Sequence, residues 1–241
     1  MVAKYTYNIN AFLHEDAISY YLLGAFMTDG CIHTVKSRQS VRYATFDSSE
    51  LDWMIKLRDI ISPNHTIFKE RTTHRLAIHN NTITDWLISK GCTPRKSLTL
   101  QYPKIPDEYL PDFLRGCWDG DGCIGTYTNT TVNKKGKIYK YPKPQSYLCS
   151  SSQDFIKPMY QELLSIGYGA TFQHKECKGQ SRFAQSESRT ITYTNDMYLI
   201  RFSTKKCKEF LEWIYYPNHT ISNPRKYNKV LEILKHYAPI L

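Results

Sequence analysis

The sequence predicts an α+β protein of two pseudo-symmetric halves, each running helix, two strands, helix, two strands, helix. Three observations carry this. The segment LLGAFMTDGCI (residues 22–32) returns as LRGCWDGDGCI (residues 114–124) at a constant offset of 92, with six of eleven positions identical, and such self-similarity marks a duplicated unit. Further echoes follow in the same order in both halves. Ser48-Ser49 and Ser151-Ser152 each open an apolar-periodic run, and Asp85-Trp86-Leu87 leads to Pro94-Arg95-Lys96 as Glu212-Trp213-Ile214 leads to Pro224-Arg225-Lys226. Each repeated helix is also followed by a β-rich stretch, so helices and strand pairs alternate in the manner of an α+β chain.

Residues 14–28 read as helix, with Ile18, Tyr21, Leu22, Ala25 and Phe26 at helical spacing and Gly30 as the stop. Residues 111–120 read as its counterpart, opened by Pro111 and closed by Gly122. Residues 33–46 alternate as a strand pattern, Val41, Tyr43 and Thr45 against Arg42, Ala44 and Phe46. Ser48 and Ser151 stand where N-caps belong. Leu51, Met54, Ile55 and Leu57 form the apolar stripe after the first, and Phe155, Ile156, Met159 and Leu163 after the second. Strands over 66–79 and 190–203 and helices around Trp86 and Trp213 complete the halves, which we place at 1–103 and 104–241. Asp29 to Lys96 spans 67 residues and Asp121 to Lys226 spans 105, so the second half carries longer strands or loops, expected within 126–195.

Composition narrows the function. The 241 residues carry a net charge of +10, and 19 Tyr, 10 Phe and 4 Trp lie among the basic residues. A polyanionic partner such as nucleic acid suits both features. With 41% hydrophobic residues the chain is not a disordered tail. The run free of acids and bases at residues 17–28 is twelve long, short of the roughly 20 needed to cross a bilayer. No secretion signal opens the sequence, so an intracellular protein is expected, its compartment unspecified. The seven cysteines are odd in number and have no C-x-x-C spacing. They read as reduced thiols, and His174 with Cys177 is too small a set for structural zinc.

The chemistry gathers at the repeated helices. Gly24 with Thr28, and Gly116 with Gly120, form small-residue ridges four apart on one helix face, and such ridges let two helix backbones approach closely. Each helix ends in Asp-Gly, which sets Asp29 and Asp121 against the negative end of a helix dipole. Packing along the glycine faces would bring the two carboxylates side by side, where both stay ionised only with a counter-charge. A divalent cation supplies it. Hard oxygen ligands with waters completing the shell suit Mg²⁺, and paired sites of this kind support in-line displacement at phosphorus.

LLGAFMTDG and LRGCWDGDG resemble the two signature helices of single-chain LAGLIDADG homing endonucleases, and GCTPRKSLTLQYPKIPDEYLPDFLRGCWDGDG resembles the junction between halves in that family. The resemblance covers about residues 15–235. It implies two αββαββα halves whose saddle-shaped antiparallel sheets lie along the DNA major groove, packed through the motif helices. It also implies metal-binding aspartates at the eighth motif position, here Asp29 and Asp121, beside which we expect the Thr28 and Gly120 carbonyls to help hold the metals. A basic residue is implied near each scissile phosphate, for which Lys96 and Lys226 in the P-R-K segments are the candidates. The first copy departs at the sixth position, where Met27 stands for the acid kept as Asp119.

Over 66–79, Phe68, Leu76 and Ile78 share one parity while Lys69, Arg71, Thr73 and Arg75 share the other, which suits a sheet with one charged face. If the strand is continuous, Glu70 falls opposite the basic set. Arg38 and Arg42 join this DNA face from the first hairpin. The second half adds Lys134, Lys137, Lys140, Gln145, Tyr147, Lys175, Lys178, Arg182, Gln185 and Arg201. Arg, Lys and Gln read guanine and adenine edges, although half to two-thirds of such bonds go to the backbone.

The expectation is a monomeric, intron-encoded or free-standing, Mg²⁺-dependent endonuclease that cuts both strands of a long asymmetric duplex site. Mn²⁺ is expected to substitute, and Ca²⁺ to bind without supporting cleavage. The alternatives are an intron maturase that binds its own intron RNA, or a non-catalytic DNA-binding regulator. No membrane partner is expected.

Overall fold

In the computed structural model, which describes residues 5–35, 38–184 and 189–236, the first predicted helix begins at Ala17 rather than His14, and a separate short helix precedes it. The break falls at Glu15, whose φ is +53°. It separates α1 (Asn10–Leu13) from α2 (Ala17–Thr28), and Asp16 caps α2 by accepting from the Ser19 N–H at 2.9 Å. After α2 come β1 (Gly30–Val35), β2 (Arg38–Ser48), α3 (Leu51–Ile61), β3 (Phe68–Glu70), β4 (Thr73–Ile78) and α4 (Asn81–Ser89). The second copy runs α5 (Leu110–Gly120), β5 (Cys123–Val132), β6 (Ile138–Ser150), α6 (Gln153–Ser165), β7 (Thr171–Lys175), β8 (Ser181–Ala184), β9 (Arg189–Thr192), β10 (Met197–Ser203), α7 (Thr204–Ile214) and α8 (Pro224–His236).

The two antiparallel sheets have the same order, β1-β2-β4-β3 and β5-β6-β10-β7. Most of the additional residues of the second half fall in two places. β5 and β6 pair from Cys123↔Tyr147 out to Val132↔Ile138, whereas β10 accompanies β6 only as far as Gln145, which leaves a free two-stranded ribbon beyond. The β8–β9 hairpin is inserted between β7 and β10 and forms a sheet of its own.

One face of each sheet is covered by helices. Ile32, Ala44, Phe46, Leu76 and Ile78 on the first sheet, and Leu148, Ile200 and Phe202 on the second, belong to one apolar core that runs through both halves. The capping positions shift from those expected. Ser48 is the last residue of β2 and its Oγ accepts from the Glu50 N–H at 3.2 Å, so Glu50 stands at the N-cap of α3. In the second half Ser152 is the N-cap of α6, and Ser150 Oγ accepts from the Ser152 N–H at 3.1 Å. Strand register therefore matches Ser48 with Ser150, one residue away from the pairing suggested by the serine doublets.

The two motif helices cross at their glycines. A Cβ on Gly24 would stand 2.1 Å from Phe113 O and 2.9 Å from Cys117 N; one on Gly116 would stand 2.2 Å from Tyr21 O and 2.9 Å from Ala25 N. These contacts are related by the same offset of 92 that relates the sequences, so the repeat is a two-fold axis in space. Thr28 and Gly120 meet near that axis, where a Gly120 Cβ would lie 2.0 Å from Thr28 Oγ1.

Beside the crossing lies a buried polar junction. Asp119, 1% exposed, accepts from Tyr21 Oη (2.7 Å), Tyr215 Oη (2.6 Å) and the Asn223 N–H (2.8 Å), and Trp53 Nε1 donates to Tyr21 Oη at 2.8 Å. Burial raises the Asp119 pKa, and its hydrogen-bond donors pull it back. Next to it Arg115 is fully buried, paired with Asp112 at 2.5 Å and donating to the Ile221 and Ile214 carbonyls. Asp119→Ala strands two hydroxyls and an amide in the interior, and should cost about 3 kcal/mol in urea unfolding; Asp119→Asn should cost less. Equal, small losses for both would show that the junction contributes little.

Candidate active site

Asp29 and Asp121 are the C-cap residues of α2 and α5, their N–H groups donating to Ala25 O (3.0 Å) and Cys117 O (3.1 Å). The tight glycine crossing fixes where these helix ends emerge. Asp29 Oδ2 lies 3.5 Å from the Cβ position of Gly120, the residue that precedes Asp121. Burial and the charge of Asp121 push the Asp29 carboxyl up to about 7, with Lys226 and Lys96 opposing. Asp121 is raised by burial as well, again opposed by the two lysines.

Lys96 and Lys226 are 9% and 6% exposed. Lys96 Nζ donates to Gly30 O (2.5 Å) and Thr28 O (3.4 Å); Lys226 Nζ donates to Gly120 O (2.5 Å) and Trp118 O (2.9 Å). Each ammonium thus sits on the carbonyl end of a motif helix, where a cation is favoured. The repeated P-R-K segments reach these positions differently. Arg95 adopts a left-handed φ of +59° before a short 3-10 turn at Lys96–Leu98, whereas Pro224 opens α8, with Asn223 Oδ1 accepting from the Arg225 N–H at 3.1 Å.

The four side chains divide between two clefts, and each cleft takes its aspartate and its lysine from different halves. Asp29 and Lys226 line one of ≈ 240 Å³ with Asp47, Asp119 and Gly120. Asp121 and Lys96 line another of ≈ 280 Å³ with Thr28 and Cys149. The oxygen donors are hard carboxylates and helix-end carbonyls, a set that fits a small divalent cation. The Thr28 and Gly120 carbonyls already accept from lysines, so a cation at either would share that oxygen. Among the described residues no group of three or more His, Cys, Asp and Glu side chains converges as a ready-made metal cluster.

From these clefts the open faces of the sheets extend, and here several expected positions are corrected. β3 and β4 are separated by a turn at Arg71, whose φ is +51°, and the register Phe68↔Arg75, Lys69↔His74, Glu70↔Thr73 reverses the parity assumed for a continuous strand. Phe68 and Glu70 therefore lie on the open face with Thr73 and Arg75, and Lys69 lies on the helix side with Leu76. Arg42 also falls on the helix side, 3.2 Å from Asp85 of α4. Arg75 is held by Asp47 (2.7 Å) and Glu70 (2.8 Å). Arg38 opens β2, its side chain outside the described set, and Gln185 lies outside the described residues.

In the second half Gln145, Tyr147, Lys175, Arg182 and Arg201 line one groove of ≈ 630 Å³ on the open face, walled on one side by Gln180 and Tyr193. Arg182 lies 5.6 Å from the Tyr193 ring centroid and Arg201 6.0 Å from that of Tyr147. The Lys178 N–H donates to Asp196 Oδ1 at 3.0 Å. Lys134 and Lys137 stand at the ribbon tip, Lys137 5.3 Å from the Tyr139 ring. Lys140 pairs with Thr130, and both take the parity opposite to Gln145 and Tyr147. Asp47 and Cys149, equivalent positions that flank the two clefts, escaped the sequence reading because neither belongs to a repeated string.

Two packed αββαββα units, joined through glycine-crossed helices that end in aspartates, define a two-motif single-chain architecture. This is the LAGLIDADG homing endonuclease fold. The chain is similar to the crystal structure of I-LtrWI, a LAGLIDADG homing endonuclease bound to target DNA, at TM-score 0.52 and 12% identity, over 95% of this chain and 92% of that one. It is similar to the meganuclease I-SmaMI bound to uncleaveable DNA, at TM-score 0.55 and 10% identity, over 87% and 85%. The LAGLIDADG meganuclease I-AabMI bound to uncleaved DNA gives TM-score 0.54 and 12% identity, over 90% and 91%. No family model matches the sequence. No curated protein matches it either.

Proposed function

We infer that the protein is a site-specific endonuclease of double-stranded DNA that hydrolyses one phosphodiester on each strand with a divalent cation, Mg²⁺ by the hardness of its donors. The observation that carries this is the pair of clefts, each with one motif aspartate and one buried lysine drawn from opposite halves. That neighbours of the same fold are DNA-bound endonucleases supports it. An RNA partner draws no support from these neighbours, and no helix among the described residues is long and apolar enough to cross a membrane.

Asp29 and Asp121 would hold the cations, with the Thr28 and Gly120 carbonyls beside them. A divalent cation, when bound, acidifies a water and draws charge from the phosphate. In the hydrolysis the water oxygen bonds to phosphorus, the bond from phosphorus to one bridging oxygen breaks, and that oxygen takes up a proton. Lys226 and Lys96 hold fixed positive charge at the two clefts, where negative charge grows on the phosphate. Helix ends and burial pre-set them, so little reorganisation accompanies the reaction. The groove around Arg201 and the ribbon tip at Lys137 supply charge for the duplex backbone.

The test is a randomised duplex library incubated with Mg²⁺ and, separately, with Ca²⁺, followed by sequencing of cut ends. Cuts at one long site on both strands with Mg²⁺ are expected, together with binding that falls steeply with salt. Tight, salt-sensitive binding without a cut under Mg²⁺ or Mn²⁺ would overturn the endonuclease reading in favour of a DNA-binding protein.

A further inference from the structure

The two clefts differ in charge. Strand register makes Asp47 and Cys149 equivalent, since each lies two residues beyond the partner of Cys31 or Cys123 in the matching ladder. The next strand faces Asp47 with Arg75 and Cys149 with Leu199. Two residues back, Thr73 is paired with Glu70, and Met197 with Lys175. An acid, a base and an acid around the Asp29 cleft thus become a thiol, an aliphatic side chain and a base around the Asp121 cleft.

The charges follow from this substitution. With the catalytic residues included, the Asp29 cleft and its rim hold Asp29, Asp47 and Glu70 against Lys226 and Arg75, an excess of one negative charge before the buried Asp119 on the same wall is counted. The Asp121 cleft and its rim hold Asp121 against Lys96 and Lys175, an excess of one positive charge. Arg75 bonds to Oδ1 of Asp47 through Nε at 2.7 Å, so the carboxylate is anchored at the cleft that it lines. The Glu50–Arg225 pair on the same rim, at 2.6 Å, is neutral as a unit. A hard dication is favoured by each added carboxylate and disfavoured by each added cation and by a thiol in place of oxygen. The phosphate backbone has the opposite preference.

We propose that the two cation sites are unequal by construction: the Asp29 cleft, with Asp47 as its additional carboxylate, takes up its divalent cation first, and the strand it faces is cut before the other. Asp47 and Cys149 are then the residues that set the order. The inference rests on the endonuclease reading above, and a nicked duplex is its intermediate.

The experiment is calorimetric titration of Ca²⁺ into the complex of the full chain with the target duplex recovered from the library, beside strand-resolved cutting with Mg²⁺ on a duplex labelled at both ends. Wild type should show two Ca²⁺ sites separated by about tenfold or more in affinity, as expected for a difference of at least two charges near the ion. A nick in one strand should accumulate before the second cut. Asp47→Asn should weaken the tighter site, and Cys149→Asp should tighten the weaker one, each narrowing the gap between strands; thermal melts of both variants confirm that they fold. Equal Ca²⁺ sites with simultaneous cutting would overturn the inference and leave the endonuclease reading intact. So would unequal sites that neither variant moves. No cation uptake together with no cut on either strand would instead overturn the endonuclease reading itself.

Discussion

Replacing Gly116 by valine should unfold the interface between the halves at a cost of at least about 3 kcal/mol, among the largest effects of any single substitution here. The reason is geometric. A Cβ at Gly116 would stand 2.2 Å from the Tyr21 carbonyl oxygen and 2.9 Å from the Ala25 amide nitrogen. Both are backbone atoms of α2 and have no rotamer with which to yield. The helices must move apart, and the apolar core continuous through both halves must open along the crossing. Overpacking against side chains costs 1–3 kcal/mol; against backbone, at a crossing shared by two sheets, the upper end is the starting point. Gly24→Val should behave alike, since its Cβ would meet Phe113 O at 2.1 Å. Gly125→Ala is the control, because nothing lies within 4 Å of the added atom. Urea unfolding of the three variants decides the matter: a Gly116→Val midpoint equal to that of Gly125→Ala would show that the crossing is not the support it is taken for.

The same glycines explain what the sequence made legible. Two strings at one offset, with glycines at matching positions, pointed to a two-fold helix crossing, and the placing of Asp29 and Asp121 followed from it because each sits one residue past its helix. The family resemblance called for a basic residue at each site, and the repeated P-R-K singled out Lys96 and Lys226. The DNA face was less readable, since parity carries only as far as a strand is continuous: the left-handed Arg71 turns the chain, so Lys69 and Glu70 exchange sides. Arg42 was misplaced for a related reason. Its place in an alternating run put it among core residues, where Asp85 satisfies its charge. Residues present in one half only left no echo at all. The Asp119 junction joins Tyr21 and Trp53 of the first half to Tyr215 and Asn223 of the second, and nothing in the spacing of those residues announces their meeting.

Asp29→Asn should do two opposite things at once, lowering cleavage by at least about a hundredfold and stabilising the metal-free protein at alkaline pH. The loss of cleavage follows if Asp29 holds a cation that contributes several kcal/mol to the reaction. The gain in stability follows from the same carboxylate. Burial and Asp121 raise its pKa in the fold to about 7, against about 3.9 in an unfolded chain. Between these values the folded state holds a proton that the unfolded state has lost. Stability therefore falls as pH rises from about 4 to about 7, and stays lowered above that. Asparagine removes this penalty: about 2 kcal/mol at pH 8, discounted from the full linkage value because solvent reaches the carboxyl, and nothing near pH 4. Ca²⁺ should raise the melting temperature of wild type more at pH 8 than at pH 6, since protons compete for Asp29 at the lower pH, and should raise that of Asp29→Asn less at both. Melts in chelator across that pH range, beside single-turnover cleavage, measure both effects. A variant that cuts at the wild-type rate would remove Asp29 from the reaction. One that melts like wild type at pH 8 in chelator would show that the paired carboxylates carry no strain when the cation is absent.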